Sequence, residues 1–210
     1  MYLTVKQQMK LSSKKDYKTI KKLCHIAKNL ANEAIYNVRQ CYFTEKRYLN
    51  YYENWKLLKN SSVNYKKLQT HVAEQVIQQV DAMFKSFFAL LDLKKKGRYP
   101  PKVRLPKYLP KDGFIALTIT DFNLSKGTLS IPYSREFGKT HNKITFRVSS
   151  ALKDKKVKVI RIVPRGCRQM TQSQRYIQHI CTAAVYEVVF FAYCVAIPRQ
   201  RFNFKNVFST

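Results

Sequence analysis

The chain is 210 residues long with 45% hydrophobic residues, enough for a packed core, which excludes a disordered basic tail. It carries 40 Lys and Arg against 12 Asp and Glu, a formal net charge of +28 that opposes compaction and calls for a polyanionic counter-charge. Nucleic acid fits best: each neutralised phosphate releases a condensed counterion, and the 14 Tyr and 13 Phe among the cations suit single strands and RNA, where bases stack on rings.

Residues 2–11 alternate in part, at Leu3, Val5, Met9 and Leu11, and read as an opening strand. Ser13-Lys-Lys-Asp16 is a capping-box pattern, in which hydroxyl and carboxylate satisfy free N–H groups at a helix start. The helix that follows, to about Tyr42, repeats Ile20, Leu23, Cys24, Ala27, Leu30, Ala31, Ala34, Ile35 and Val38 at spacings of three and four. A second helix is expected over 45–58, broken by Asn60-Ser61-Ser62. A third, long helix is expected over 64–93, with Leu68, Val72, Val76, Val80, Met83, Phe84, Phe87, Phe88 and Leu91 on its apolar face. Amphipathic helices of this kind pack as a bundle. His71, with Gln75, Gln78 and Gln79 at the edge of that face, reads as a solvated or capping side chain rather than a metal ligand.

Character changes at Lys94. The run 94–111 is rich in Lys and Arg, and Pro100, Pro101, Pro106 and Pro110 exclude a helix by removing donors and clashing with the preceding turn. It reads as an extended basic loop with short edge strands. Short strands are expected at 114–119, 128–131, 143–148 and 157–163, separated by turn residues Ser125-Lys-Gly127, Phe137-Gly138 and Lys153-Asp154. In the last strand, alternation puts Lys156 and Lys158 on one face and Val157 and Val159 on the other. Residues 94–168 hold 20 basic and 4 acidic residues, the first 93 hold 16 and 7, so the field is strongest in the second part.

Short punctuated strands suggest a small barrel. The expected fold class is therefore α+β: a small antiparallel β-barrel, joined by the opening strand, with an inserted helical bundle. Residues 1–12 supply the first barrel strand, 13–93 the inserted helical lobe, 94–166 the basic loop and barrel strands, and 167–210 a divergent apolar tail. Within that tail Ile180 to Ile197 is nearly all apolar between Arg175 and Arg199, at the lower limit for a spanning helix. Glu187 near its middle, and Val185, Val188, Val189, Phe190, Phe191, Tyr193 and Val195, favour one or two buried strands instead. Cys24, Cys41, Cys167, Cys181 and Cys194 form no C-x-x-C pair, which argues against a zinc ribbon. Their odd number, with no secretory signal in MYLTVKQQMKL, points to reduced thiols in a cytoplasm.

The opening strand, Asn29-Leu-Ala-Asn-Glu-Ala-Ile-Tyr36, the segment from Leu68 to Phe88 with its paired Gln residues ahead of an aromatic cluster, Pro100-Pro-Lys-Val-Arg-Leu-Pro-Lys107 and Ile160-Arg-Ile-Val-Pro-Arg165 occur in a telling order. Taken together over residues 1–166, they resemble the N-terminal half of the OrfB/TnpB proteins of insertion sequences, which are transposon-encoded RNA-guided DNA nucleases. The resemblance implies a wedge barrel and a recognition lobe that hold a guide RNA and its DNA heteroduplex through backbone and shape, pairing supplying sequence specificity. The expected nucleic-acid contacts are Lys94, Lys95, Lys96, Arg98, Tyr99, Lys102, Arg104, Lys107, Tyr108 and Lys111 in the loop, with Lys156, Lys158, Arg161 and Arg165 in and beside the last strand.

Cleavage in that family needs a RuvC-like domain, where three carboxylates hold two divalent metals. Here Glu187 is the one acid beyond Asp154, and in Val185-Tyr-Glu-Val188 it resembles the end of a wedge strand, not a catalytic position. The family's zinc-binding cysteines are missing as well. Cys167-Arg-Gln-Met-Thr-Gln-Ser-Gln174 looks inserted or rearranged, and Phe190 onward lacks the expected acidic linker and Asp-bearing strand. The expectation is a truncated or frame-shifted form that binds guide-type RNA and DNA in the cytoplasm or nucleoid, with no nuclease activity, cofactor or small-molecule substrate. Its alternatives are a nuclease-dead RNA-guided repressor, a structural RNA-binding protein, a complete small metal-dependent nuclease and a membrane-attached basic protein.

Overall fold

Ser13 starts the first helix as its sequence predicts. Its backbone is extended and its Oγ accepts from the Asp16 N–H at 3.1 Å, satisfying one of the free donors of α1 (Lys14–Thr44). With no Gly or Pro inside, α1 runs for 31 residues, slightly past the expected end. The second helix starts later than expected. Asn50 and Glu53 form a reciprocal capping box, Asn50 Oδ1 accepting from the Glu53 N–H at 3.1 Å and Glu53 Oε2 from the Asn50 N–H at 3.2 Å, so α2 is Tyr51–Ser61 and residues 45–50 are an irregular connection. Asn60 and Ser61, expected to break the helix, are its last residues, with Ser62 as C-cap. The computed structural model describes residues 3–9, 11, 13–98, 102–149, 157–164 and 190–196.

The long third helix is two helices. Ser62 caps α3 (Val63–Lys67), Leu68 turns extended and is buried, and the Gln69 side chain accepts from the Val72 N–H at 3.0 Å to start α4 (Thr70–Lys95). On α4 the buried residues are Val72, Ala73, Val76, Ile77, Val80, Asp81, Phe84 and Phe87. That stripe keeps Val72, Val76, Val80, Phe84 and Phe87 of the expected face and widens toward Ala73, Ile77 and Asp81, so Met83, on the other edge, faces outward and is 39% exposed. Asp81 is the charged member of the stripe. Its carboxylate accepts from the Tyr48 hydroxyl at 2.5 Å and pairs with Lys85 at 2.7 Å, which offsets the cost of burying it. Burial first, then the bond to Asp81, push the Tyr48 phenol well above its ordinary value.

The strands are β2 (Leu117–Ile119), β3 (Asn123–Ser125), β4 (Thr128–Ser130), β5 (Thr145–Arg147), β6 (Val157–Pro164) and β7 (Phe190–Ala196), together with β1 (Leu3–Gln8). They form two antiparallel sheets, ordered β1-β7-β6-β2 and β3-β4-β5. The helices thus intervene in sequence between two strands of one sheet. The α+β class is as expected. The closed barrel is not: among the described residues no ladder joins the two sheets. A side chain does so instead. Gln7 in β1 donates to the Arg147 carbonyl at 2.8 Å and accepts from the Ser149 N–H at 2.6 Å, as an extra strand residue would.

Two further departures have local causes. Lys126 and Gly127 both have positive φ, +48° and +73°, the backbone of a two-residue hairpin that pairs β3 with β4; β3 escapes notice because Leu124 is its only apolar residue. Phe137-Gly138, expected as a turn, lies inside α5 (Arg135–Thr140), because the Ser134 Oγ accepts from the Phe137 N–H at 3.2 Å and caps a helix there. One apolar core runs through both halves. Ile20, Leu30, Ile35, Ile77 and Phe84 of the helices join Leu117, Ile119, Leu129, Ile160 and Ile162 of the strands, each buried side chain contributing about 1.5–3 kcal/mol. Among the described residues no helix is long and apolar enough to cross a membrane. Of the apolar run from Ile180 to Ile197, only β7 lies within the described residues.

Candidate nucleic-acid interface

Lys94 and Lys95 occupy the last turn of α4 and Lys96 is its C-cap, a favourable end for cations beside the negative pole of the helix dipole. Gly97 at φ +69° then reverses the chain. Its N–H bonds to the Lys94 carbonyl at 3.0 Å and the Arg98 N–H bonds to the Leu93 carbonyl at 2.9 Å, the double bond of a Schellman cap, for which a left-handed glycine is suited. All four cations here are exposed.

Residues 102–111 form a strap laid on α1. Arg39 Nη1 donates to the Pro106 carbonyl at 3.1 Å. Asn32 holds Leu109 twice, its Nδ2 donating to the carbonyl at 3.0 Å and its Oδ1 accepting from the N–H at 2.8 Å. Lys28 Nζ donates to the Lys111 carbonyl at 2.9 Å. Lys28, Asn32 and Arg39 are spaced by four and seven, hence on one face of the helix, and they bond three successive stations of the strap in antiparallel order. Leu105 and Leu109 pack on the core, while Lys102, Arg104, Lys107, Tyr108 and Lys111 are exposed. The prolines explain why backbone pairing is replaced by side-chain anchors: Pro106 and Pro110 have no N–H to offer a ladder.

Lys28 is nearly buried, at 4% exposure. Burial lowers the pKa of its ammonium, and the nearby Asp112 carboxylate opposes that shift. The buried thiols are poor nucleophiles: burial pushes Cys24 up to about 12, and Cys41 is also raised, chiefly by burial.

On β6, Lys158 and Arg161 are exposed while Ile160 and Ile162 are buried. Strict alternation would put Lys158 on the same face as both isoleucines. A bulge settles this: Val157 pairs with Ala196 and Val159 with Val195, leaving Lys158 as the extra residue. Arg161 stands opposite Thr118 of β2. Among the described residues no hydrogen bond or ion pair links Lys158 or Arg161 to the strap. Tyr99, Lys156 and Arg165 lie outside the described residues.

Elsewhere, a hollow of about 600 Å³ opens between α1 and the α2–α3 junction, lined by Asn29, Asn32, Glu33, Tyr36, Asn37, Ser62 and Asn64 among others. The Glu33 carboxylate is engaged by the Ser62 hydroxyl and by Asn64 Nδ2 at 2.6 Å. His71 is exposed, as expected, with Nδ1 3.3 Å from Glu74 and Nε2 3.9 Å from Asp121. No group of three or more His, Cys, Asp or Glu that could hold a metal gathers among the described residues.

Sequence reasoning missed the anchors. Lys28, Asn32 and Arg39 were legible as polar residues at helical spacing beside an otherwise apolar face, but the loop they hold lies some 70 residues away in sequence, with Asn32 and Leu109 77 apart. The chain matches no protein-family model and no curated protein.

Proposed function

We propose that this chain binds nucleic acid through the cationic surface formed by the end of α4 and the strap, and that it does not cut what it binds. One observation carries the reading. Lys94, Lys95, Lys96, Arg98, Lys102, Arg104, Lys107 and Lys111 are all exposed, and no ion pair among the described residues neutralises any of them. Residues 94–111 contain no acid at all. Such a surface repels itself until a polyanion supplies counter-charge.

The resemblance to the N-terminal half of TnpB-type proteins gives the reading a more specific form. In it the two sheets, clasped by Gln7, serve as an open version of the wedge barrel, and α1–α4 as the recognition lobe. Guide-type RNA and a DNA heteroduplex are the proposed partners, in a cytoplasmic, nucleoid-associated setting. The non-cutting part rests on carboxylate scarcity within these 210 residues, since two-metal chemistry needs a cluster of acids and residues 155–210 hold one, Glu187.

Pulldown of bound nucleic acid followed by sequencing tests this. RNA from the end of the encoding transposon supports the specific form. Predominantly ribosomal RNA redirects the reading to a structural RNA-binding protein. Absence of any bound nucleic acid refutes it, and Mg²⁺-dependent cleavage of DNA by the purified chain overturns the non-cutting part.

A further inference from the structure

Apolar rings are normally buried, yet Tyr36, Phe43 and Tyr108 are 53%, 50% and 45% exposed. They are not scattered. Tyr36, Arg39 and Phe43 follow one another along α1 at spacings of three and four, so they share a face, and the strap brings Tyr108 onto it. Arg39 is the hub. Its guanidinium carbon lies 4.9 Å from the centre of the Tyr108 ring and 5.8 Å from that of Phe43, within cation–π reach, while Nη1 is spent on the Pro106 carbonyl.

Both rings are braced. Phe43 meets Tyr42 edge-on at 5.6 Å, Tyr42 meets Phe88 at 5.5 Å, and Phe88 packs on Phe87 and Tyr48 at 5.1 and 5.3 Å. Tyr108 sits between Pro106 and Leu109, whose backbones Arg39 and Asn32 hold. The rings are thus supported from below and half bare, and exposed cations, Arg104, Lys107 and Lys111, flank Tyr108 along the strap.

We infer that Arg39, Phe43 and Tyr108 form a stacking platform for the unpaired bases of a single nucleic-acid strand. The inference rests on the nucleic-acid reading above and adds which form of nucleic acid the surface takes. Charge complementarity selects the occupant: the cations call for a polyanion, and flat bare faces beside them suit one whose bases are free to stack. A duplex presents phosphates to the cations but keeps its base faces stacked within itself.

The test uses the full chain with Tyr108→Ala, Phe43→Ala and Tyr108→Phe. Each site is half exposed and outside the core, and thermal melting checks that the fold is kept. The probes are an RNA strand and a DNA strand of one sequence, each carrying 2-aminopurine, and the corresponding duplex. Wild type is expected to quench the 2-aminopurine of a strand on binding. Each Ala variant is expected to lose roughly five- to a hundredfold in affinity for the strand, with the quench reduced. Duplex affinity and the salt slope should stay unchanged, since no phosphate contact is removed. Tyr108→Phe should restore the wild-type result. An effect on either strand supports the platform, and the strand with the larger effect is its occupant. Equal losses on strand and duplex, or an undiminished quench in both Ala variants, overturn the platform and leave the basic surface standing. A wild type that binds neither form removes both.

Discussion

The end of α4 and the strap on α1 carry similar cations on different mechanical footings. At residues 94–98 the backbone is set by a Schellman cap, and the Lys and Arg side chains reach outward from a single helix end. At residues 102–111 three backbone stations, Pro106, Leu109 and Lys111, are held by Arg39, Asn32 and Lys28, so Lys107 and Lys111 stand on anchored backbone, with Arg104 two residues before the first station. A cluster on long free stems serves long-range attraction and encounter. A row on a fixed backbone retains its geometry before the ligand arrives, and less ordering is left to be done on binding. The same residue types thus divide attraction from registration.

The largest expected effect breaks the comparison on the free side. Reversing Lys94, Lys95, Lys96 and Arg98 to Glu should weaken binding most at low salt and lower the salt slope by roughly 3 on a single strand, if each cation meets a phosphate. Titrations across a salt series measure it, with a modest fall in thermal stability because Glu replaces cations beside the negative pole of the α4 dipole. An unaltered slope would remove the end of α4 from the interface.

On the held side, Asn32→Ala removes both bonds to Leu109 and should cost about 1–3 kcal/mol of stability in chemical denaturation. Hydrogen exchange at the Leu109 amide should speed up. Cys24, whose thiol burial holds at about 12, should stay unreactive to iodoacetamide at neutral pH if the strap loosens without opening the core. The strap would then behave like the end of α4. Rapid Cys24 alkylation in this variant would mean that Asn32 supports the whole bundle and that the strap is not a separately held region.

The smallest effect sharpens the comparison by touching neither side. Tyr48 is raised by burial and by its bond to Asp81, so its neutral form contributes stability that is complete below the unfolded-state value, about pH 10, and is lost as pH rises beyond it. The unfolded chain releases that proton first, which gives the falling slope. Tyr48→Phe should cost about 1 kcal/mol at neutral pH and flatten the alkaline limb of the stability profile, with binding unchanged.

Much of the scaffold was legible in the sequence because it follows short-range rules. The Ser13 cap, the period of α1 and the β-branched run of β6 are each decided within a few residues. The failures arose where a nearby side chain competed for the backbone. Asn50 delayed α2, Gln69 restarted a helix after buried Leu68, and Ser134 made a helix of an expected turn. The sheets were legible as strands but not in their closure, since Gln7 reaches Arg147 and Ser149 across 140 and 142 residues. For the site, composition located the cations of the loop. It did not reveal which would be held, because no local pattern in 102–111 points to Asn32.

Gln7 also bears on the order of folding. The helices α1–α4 gather contacts close in sequence and can form early, whereas β1 pairs with β7, Leu3 standing opposite Ala196. During synthesis β1 therefore keeps its edge unpaired until β7 follows, while the partners of the Gln7 clasp, residues 147 and 149, emerge well before β7 does.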